Sequence, residues 1–374
     1  MIPFLEIRDS SRTIIGIVDV AKSIIWHSIY YGVGDFEIYV QATDNNIALL
    51  QVGNYVTRQD NVEVGVIEQI TYDFDIQEGY MITAVGRFAK SILDRRLIYK
   101  LSGTVLTPTI LRGNVEIAIR QTVLDNAISC SFNSRRNIDF LGLAGLKNYP
   151  DIIVDTNGNA AQKQVSHKNL MEYTDSVLQE YGMASRLIYN DSNKRLLYEV
   201  YKGEDRSTDN TDNNEAVVFS VDYDNLNSSN YLYNVKLLKN EALVGGSGEG
   251  LDRFYSLLTV NKSGLQLREI FVDAAGVNRK YEVDGEEHEY TDAEYSEMLK
   301  QKGQEELQEH IVNETFKGEV NASYGIWQYG RDFFLGDLVT IQDNKINKYI
   351  DTRITEATEV QDDNGYRVDV KFGE

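Results

Sequence analysis

The chain is short of the residues that most often carry chemistry or covalent constraint. Its 374 residues include one cysteine, three prolines and four histidines. The lone Cys130 has no partner for an intrachain disulfide and reads as a buried structural thiol, in keeping with synthesis in a reducing cytoplasm. So few prolines, with 28 glycines, exclude collagen-like and proline-rich linker architectures. No run of about 18 apolar residues occurs, so no membrane span is expected. The N-terminal MIPFLEIRDS lacks the basic-then-apolar order of a secretory signal. His27, His167, His288 and His310 form no close zinc-binding pair, and no G-x-S-x-G elbow is present. Acidic pairs such as Glu286-Glu287 are too common here to mark a carboxylate dyad. The expectation is therefore no catalytic residue, no cofactor-binding residue and no metal ligand.

Positive charge is also scarce. Lys and Arg number 37 against 58 Asp and Glu, a net charge of −21. Affinity for nucleic acid comes mainly from Lys and Arg neutralising phosphates, so this chain should not grip them. The surplus acts either as a solubilising surface or as a wall past which a polyanion moves without sticking. Arg87, Arg95 and Arg96 suggest a phosphate site, but charge-paired structural arginines are the expected reading.

What is present is strand. In the last 45 residues Tyr366, Val368, Val370 and Phe372 alternate with Arg367, Asp369 and Lys371, giving one apolar and one charged face. Asn364-Gly365 suits a tight hairpin turn. Arg353–Gln361 is then the antiparallel partner and Leu338–Gln342 a third strand, a meander belonging to a small barrel or sandwich. Earlier, Phe4–Ile7 pairs with Thr13–Val18, and Asp35–Gln41 leads to a polar turn at Asp44-Asn45-Asn46. Ile70, Tyr72, Phe74 and Ile76 alternate up to a turn at Gln77-Glu78-Gly79. Residues 86–96 form a short helix or turn with Phe88, Ile92 and Leu93 inward.

The middle of the chain changes character. Asn114 caps a helix to about Cys130 with Val115, Ile119, Val123 and Ala127 on one stripe. Residues 147–161, with a DTNGNA turn, are a loop or short strands. Asn169 and Glu172 cap a second helix, ended by Gly182, and Arg186–Tyr189 with Arg195–Tyr201 make a hairpin. Residues 203–215, GEDRSTDNTDNNE, read as a loop of low order without the Gly and Glu spacing of a calcium loop. Strands are expected again at Ala216–Val221 and Tyr231–Leu238. The glycines of 245–250 precede a strand, not a helix, so they read as a turn rather than a phosphate cradle. Thr291 and Glu294 form a capping box for a helix with Tyr295, Leu299, Leu307 and Ile311 on its stripe. Gly303 interrupts that stripe, consistent with close packing on a neighbouring backbone.

Several segments together resemble one family. They are GDFEIYV (Gly34–Val40), the Gly86-Arg87 strand end, the Val244–Arg253 glycine segment, Arg268–Ala274, FLGDLVTIQD (Phe334–Asp343), Arg353–Glu356 and the closing Asn364–Gly373 strand. In this order, from about Asp35 to Glu374, they resemble the tail-associated, baseplate hub proteins of long-tailed phages, a family similar to the hubs of contractile phages and to VgrG. The resemblance implies an α+β, mainly β fold: two small β-barrel, tube-like domains with α/β and helical inserts. The expected segmentation is 1–112 for the first barrel, 113–215 for the α/β insert, and 216–374 for the second barrel, built from 216–272 and 316–374 around a helical insert at 273–315. It further implies a non-enzymatic, structural role in the virion tail tip. A homotrimer would cap the tail tube, contact the distal tail protein, and pass the tape measure protein and then DNA without specific binding. Relatives that carry a lysin extend further, and this sequence ends with the hub module. The alternatives are a tail-borne cell-wall hydrolase or a carbohydrate-binding module. Trp26 and Trp327 would supply stacking surfaces for the latter, although barrel core or interface is the expected place for both.

Overall fold

A computed structural model describes residues 4–155, 158–283, 286–320 and 326–373. With 44% strand and 19% helix the fold is α+β and mainly β, as the sequence implied. The N-terminal strands are β1 (Leu5–Arg8), β2 (Ile14–Val18), β3 (Ser23–Ile29), β4 (Asp35–Gln41), β5 (Tyr55–Arg58), β6 (Asn61–Asp75) and β7 (Gly79–Phe88). All neighbours are antiparallel, in the spatial order β2–β1–β5–β6–β7–β4–β3. The segment expected as a turn at Asp44-Asn45-Asn46 instead opens a short helix, α1 (Asp44–Leu49). Thr43 makes the difference: its hydroxyl accepts from the Asn46 amide at 3.1 Å and caps the first turn.

Strands β5 and β6 lie between two cores. Val56 and Ile67 join Trp26, Phe36, Ile38 and Phe88 on one side. Tyr55, Val64 and Val66 face the other way, toward α2 (Val115–Val123) and the 3₁₀ turn Ala89–Arg95. Asn114 caps α2 by accepting from the Ile117 amide at 3.0 Å, and Val115, Ile119, Val123 and Ala127 are all buried. The chain continues through β8 (Leu141–Leu143), α3 (Leu170–Glu180), β9 (Ala184–Asn190) and β10 (Arg195–Tyr201). Asn169 caps α3, and Gly182 ends it at a φ of 64°. β8 runs parallel to β10, and β9 meets β6 at Ile188 and Glu63. The α/β segment thus shares its core with the back of the N-terminal sheet. Of the DTNGNA turn, residues 156 and 157 lie outside the described residues.

The strands that follow include β11 (Asp205–Arg206), β12 (Val218–Ser220), β13 (Leu226–Asn234), β14 (Glu241–Gly245), β15 (Tyr255–Leu258) and β16 (Glu269–Asp273). After α4 (Asp292–Gln308) come β17 (Asn313–Val320), β18 (Leu338–Asp343), β19 (Lys348–Asp362) and β20 (Gly365–Gly373). The terminal meander forms in the expected order, β18–β19–β20, although its last turn falls at Asp363-Asn364, with Asp362 paired to Gly365, one residue earlier than expected; β20 pairs on with β17, which pairs with β13. Val368, Val370 and Phe372 are buried, Tyr366 is half-buried between two cores, and Asp369 is exposed. This alternation is what a sheet with one covered face requires.

Four expectations are corrected. No ladder closes on itself among the described residues, so the two closed barrels are not seen. The N-terminal and C-terminal strands instead continue into one sheet through β3 and β19, Ile24–Ile29 against Glu356–Gln361. The acidic 203–215 segment is anchored rather than loose. β11 lies parallel to β18, Asp337 accepts from the Glu204 amide at 2.8 Å and from Arg206 Nε at 3.0 Å, and Thr208 donates to Thr340 Oγ1. Ile311 falls beyond α4 and is exposed. Gly303 does pack closely, but on side chains: a Cβ there would lie 2.8 Å from Val244 Cγ2 and 3.3 Å from Ala242 Cβ. Through that contact α4 covers the small β15–β14–β16 sheet, with Tyr295 and Leu299 buried between them.

Candidate functional site

Two buried polar nodes hold the parts of the chain together. At the first, Arg58 on β5 makes a bidentate pair with Glu359 on β19 at 2.9 and 3.0 Å, and a second pair with Asp60. Tyr366 donates to the same Glu359 carboxylate at 2.6 Å, and the guanidinium lies 5.2 Å from the Trp26 ring centroid. Burial disfavours the Arg58 charge, yet its bonds to Asp60 and Glu359 hold the guanidinium above its ordinary range. Burial and then the Glu359 charge push the Tyr366 phenol up. A charge this buried is tolerated only when fully paired, so the node fixes β5 against β19.

The second node is Tyr30, just past β3. Its hydroxyl donates to the Gly182 carbonyl at 3.0 Å and accepts from the Gly203 amide at 3.1 Å. Its ring lies against Gly336, where a Cβ would come within 2.2 Å, and Arg353 sits 5.6 Å from its centroid. One phenol therefore touches the N-terminal sheet, the end of α3, the acidic segment and the meander. Gly336 is the glycine of the FLGDLVTIQD motif. Its neighbour Asp337 holds the 203–208 segment, so that motif joins elements far apart in sequence.

The residues singled out in the sequence resolve as follows. Arg87 is charge-paired as expected, with Glu68 at 2.9 Å and Asp94 at 3.3 Å. Arg96 departs from that reading: it donates to the backbone carbonyls of Arg136 and Arg95. Burial and the neighbouring arginines Arg136 and Arg95 lower its pKa. Arg95 is exposed. Cys130 is buried, 3.9 Å from an Arg136 nitrogen. His27 bridges Asp35 and Glu356, His288 stacks on Tyr281, His310 pairs with Glu306, and His167 is exposed. No group of three or more His, Cys, Asp or Glu among the described residues is placed to hold a metal ion. The glycines of 245–250 turn the chain between β14 and β15, as expected, and no long helix follows them. Trp26 is fully buried in the core, and Trp327 packs half-buried on the C-terminal core. Trp26 therefore offers no stacking surface for a sugar.

The exposed surface has two notable parts. The β6–β7 ribbon carries its apolar face past the end of the core: Ile70 is half-buried, whereas Tyr72, Phe74, Ile76 and Tyr80 are exposed, with Phe74 and Tyr80 4.7 Å apart. A cleft of about 1600 Å³ opens between α3, α4 and β19, lined by carboxylates that include Glu172, Glu305, Glu309, Glu314, Asp351 and Glu356. Cations are largely drawn inward. Lys163 sits between Glu180 and Glu305, Arg206 between Glu204 and Asp337, and Arg120 and Arg195 donate to backbone carbonyls. The surplus carboxylates are left facing water, and no described helix is long and apolar enough to cross a membrane.

This arrangement is a fold of phage tail proteins. The chain is similar in structure, over 99% of its length, to a tail protein from Neisseria meningitidis MC58 (TM-score 0.56, 13% identity, 96% of that chain covered). It is similar over the same share to the 43 kDa tail protein of prophage MuSo2 from Shewanella oneidensis (TM-score 0.58, 12% identity, 98% covered). A third such structure is prophage tail protein gp18 from Listeria monocytogenes EGD-e (TM-score 0.51, 13% identity, 94% covered). Comparison with curated proteins returns no match. In sequence, the profile of the Siphovirus ReqiPepy6 Gp37-like proteins matches residues 4–374, and the chain belongs to that family.

Proposed function

We propose that this protein is the structural hub at the distal end of a phage tail. Three copies form a ring that caps the tail tube and adjoins the distal tail protein. Residues 1–112 and the strands of 216–374 that join the meander supply two tube-forming units per copy, so three copies approximate sixfold symmetry. The 113–215 segment and the α4 layer lie outside the tube. The tape measure protein, and then DNA, pass through the centre without specific binding, and no catalysis is involved. The protein is made in the host cytoplasm and resides in the virion tail tip. The observation that carries this reading is the full-length likeness of the fold to phage tail proteins, joined to membership of a siphovirus family. Surplus carboxylates with inward-turned cations support the passage of a polyanion without capture.

Gold-labelled antibody against the chain, applied to purified tails, tests the placement. Label confined to the distal tip is expected. Label along the shaft, or none on tails that contain all other components, overturns the reading.

A further inference from the structure

We propose that the cleft between α3, α4 and β19 receives a basic, amphipathic segment of another protein; the inference does not depend on the ring proposed above. Helix spacing sets its walls. Glu172, Ser176 and Glu180 stand four residues apart on α3, which puts them on one face, and all three line the cleft. Glu305, Glu306 and Glu309 line it from the C-terminal end of α4. Apolar side chains share the lining: Leu237 and Ile311 are 65% and 49% exposed, and Tyr31, Val312 and Ile350 are half-buried.

Two of these carboxylates show what the cleft accepts. Glu180 and Glu305 clasp the Lys163 ammonium at 3.0 and 3.2 Å, with that side chain only 6% exposed. Other lining acids are engaged within the chain: Glu305 also by Lys302, Glu306 by His310, Glu314 by Lys348, and Glu356 by His27 and Lys371. Asp351 accepts from the Thr340 hydroxyl, and Asp273 pairs with Arg253. Glu172 and Glu309 differ. Both are exposed, and among the described residues neither has a cation within ion-pair distance. His167 and Lys168, just before α3, are the other basic side chains on the lining besides Lys302. Tyr173, next to Glu172 on the α3 wall, is 8% exposed, and its hydroxyl has no hydrogen-bond partner among the described residues. A buried phenol is ordinarily satisfied. The wall therefore holds one polar group and two charges for a ligand to pair.

Sign and size choose the occupant. A carboxylate-lined cleft repels nucleic acid, and no group of three or more His, Cys, Asp or Glu among the described residues is placed to hold a metal ion. Small-molecule pockets run to about 1,000 Å³, and this cleft, at about 1600 Å³, is larger. A polypeptide segment fits it. The segment's apolar side would cover Leu237, Ile311 and Ile350, and its Lys or Arg would meet Glu172 and Glu309, as Lys163 meets Glu180 and Glu305. Exposed ion pairs are individually weak, so apolar contact supplies most of the affinity while the carboxylates select a basic partner.

Fluorescence anisotropy of the full chain with a labelled amphipathic helix of leucine and lysine as probe tests the inference. One double variant carries Glu172→Lys and Glu309→Lys. A second, Asp209→Lys with Asp212→Lys, makes the same change in net charge at exposed acids that do not line the cleft. The parent is expected to bind the probe, the cleft variant to bind it roughly tenfold more weakly, and the second variant to bind like the parent. Equal weakening in both variants would reduce the effect to attraction by the net charge and overturn the inference. So would a parent that ignores the probe, or one that binds a leucine–glutamate helix as tightly. Purified tails with a photo-crosslinker in place of Gln308, an exposed lining residue, give a readout that needs no charge reversal. Capture of a segment rich in Lys and Arg from a different tail protein is expected. Capture of an acidic segment, capture of a second copy of this chain, or no capture at all contradicts the inference and leaves the tail-tip placement untouched.

Discussion

At the scale of single residues, the junction depends on charges buried in pairs. Arg58 has a side chain only 1% exposed, and Glu359 one only 6% exposed. Removing one member of such a pair strands the other, which costs about 3–5 kcal/mol, far more than the net worth of the pair. Glu359→Ala is therefore expected to lower the denaturant midpoint of the N-terminal and C-terminal strands together. A midpoint within experimental error of the parent would show that the node does not couple them. Glu199 supplies a pH dependence. Burial works against its charge, but Arg186 at 2.8 Å and Lys147 at 2.9 Å outweigh this and hold its carboxyl below the ordinary 4.5. The unfolded chain then binds the proton more readily. The stability Glu199 adds is complete above its ordinary pKa and is lost as pH falls through the lower folded value. Glu199→Gln should lower the melting temperature at pH 7 and narrow the difference in melting temperature between pH 7 and pH 3. A difference as wide as the parent's contradicts that assignment.

At the scale of elements, legibility followed the range of the interaction. Alternation in Tyr366–Phe372 and the caps at Asn114, Asn169 and Thr291 depend on neighbours within a few residues, so sequence pattern was enough to place them. The 203–215 segment was misread because its anchor, Asp337, lies more than 120 residues away in the chain. The β6–β7 ribbon shows a related gap. Period two told which face of Tyr72, Phe74 and Ile76 is apolar but not where the core beneath it ends. Closure of the strands into barrels depended on pairings no local pattern specifies, and β3 with β19 formed a continuous sheet instead. Gly303 was legible as a close approach, though its neighbours are side chains. An alanine there would gain about 1 kcal/mol in helix propensity, but its Cβ would stand 2.8 Å from a buried valine methyl. Gly303→Val should lift α4 from β14 and make the 239–310 region sensitive to protease while the meander stays protected. Uniform protection across both regions would mean that the helix does not depend on this contact.

At the scale of the whole molecule, charge and assembly meet. In a trimeric ring the unpaired carboxylates are expected to be concentrated on the inner wall, with Lys and Arg at contacts between chains. Replacing several inner-wall acids by lysine should leave assembly intact and slow genome ejection, with the defect easing as salt rises, because new phosphate contacts are screened and displaced by counterions. Ejection at the parental rate would leave the net charge of −21 with a solubilising role alone. All of this depends on the ring. Native mass spectrometry of the purified full chain tests it most directly: a species of three times the 42.5 kDa chain mass, persisting on dilution to working concentrations, is the result this account predicts. A chain that remains monomeric, or settles as a closed dimer, contradicts it.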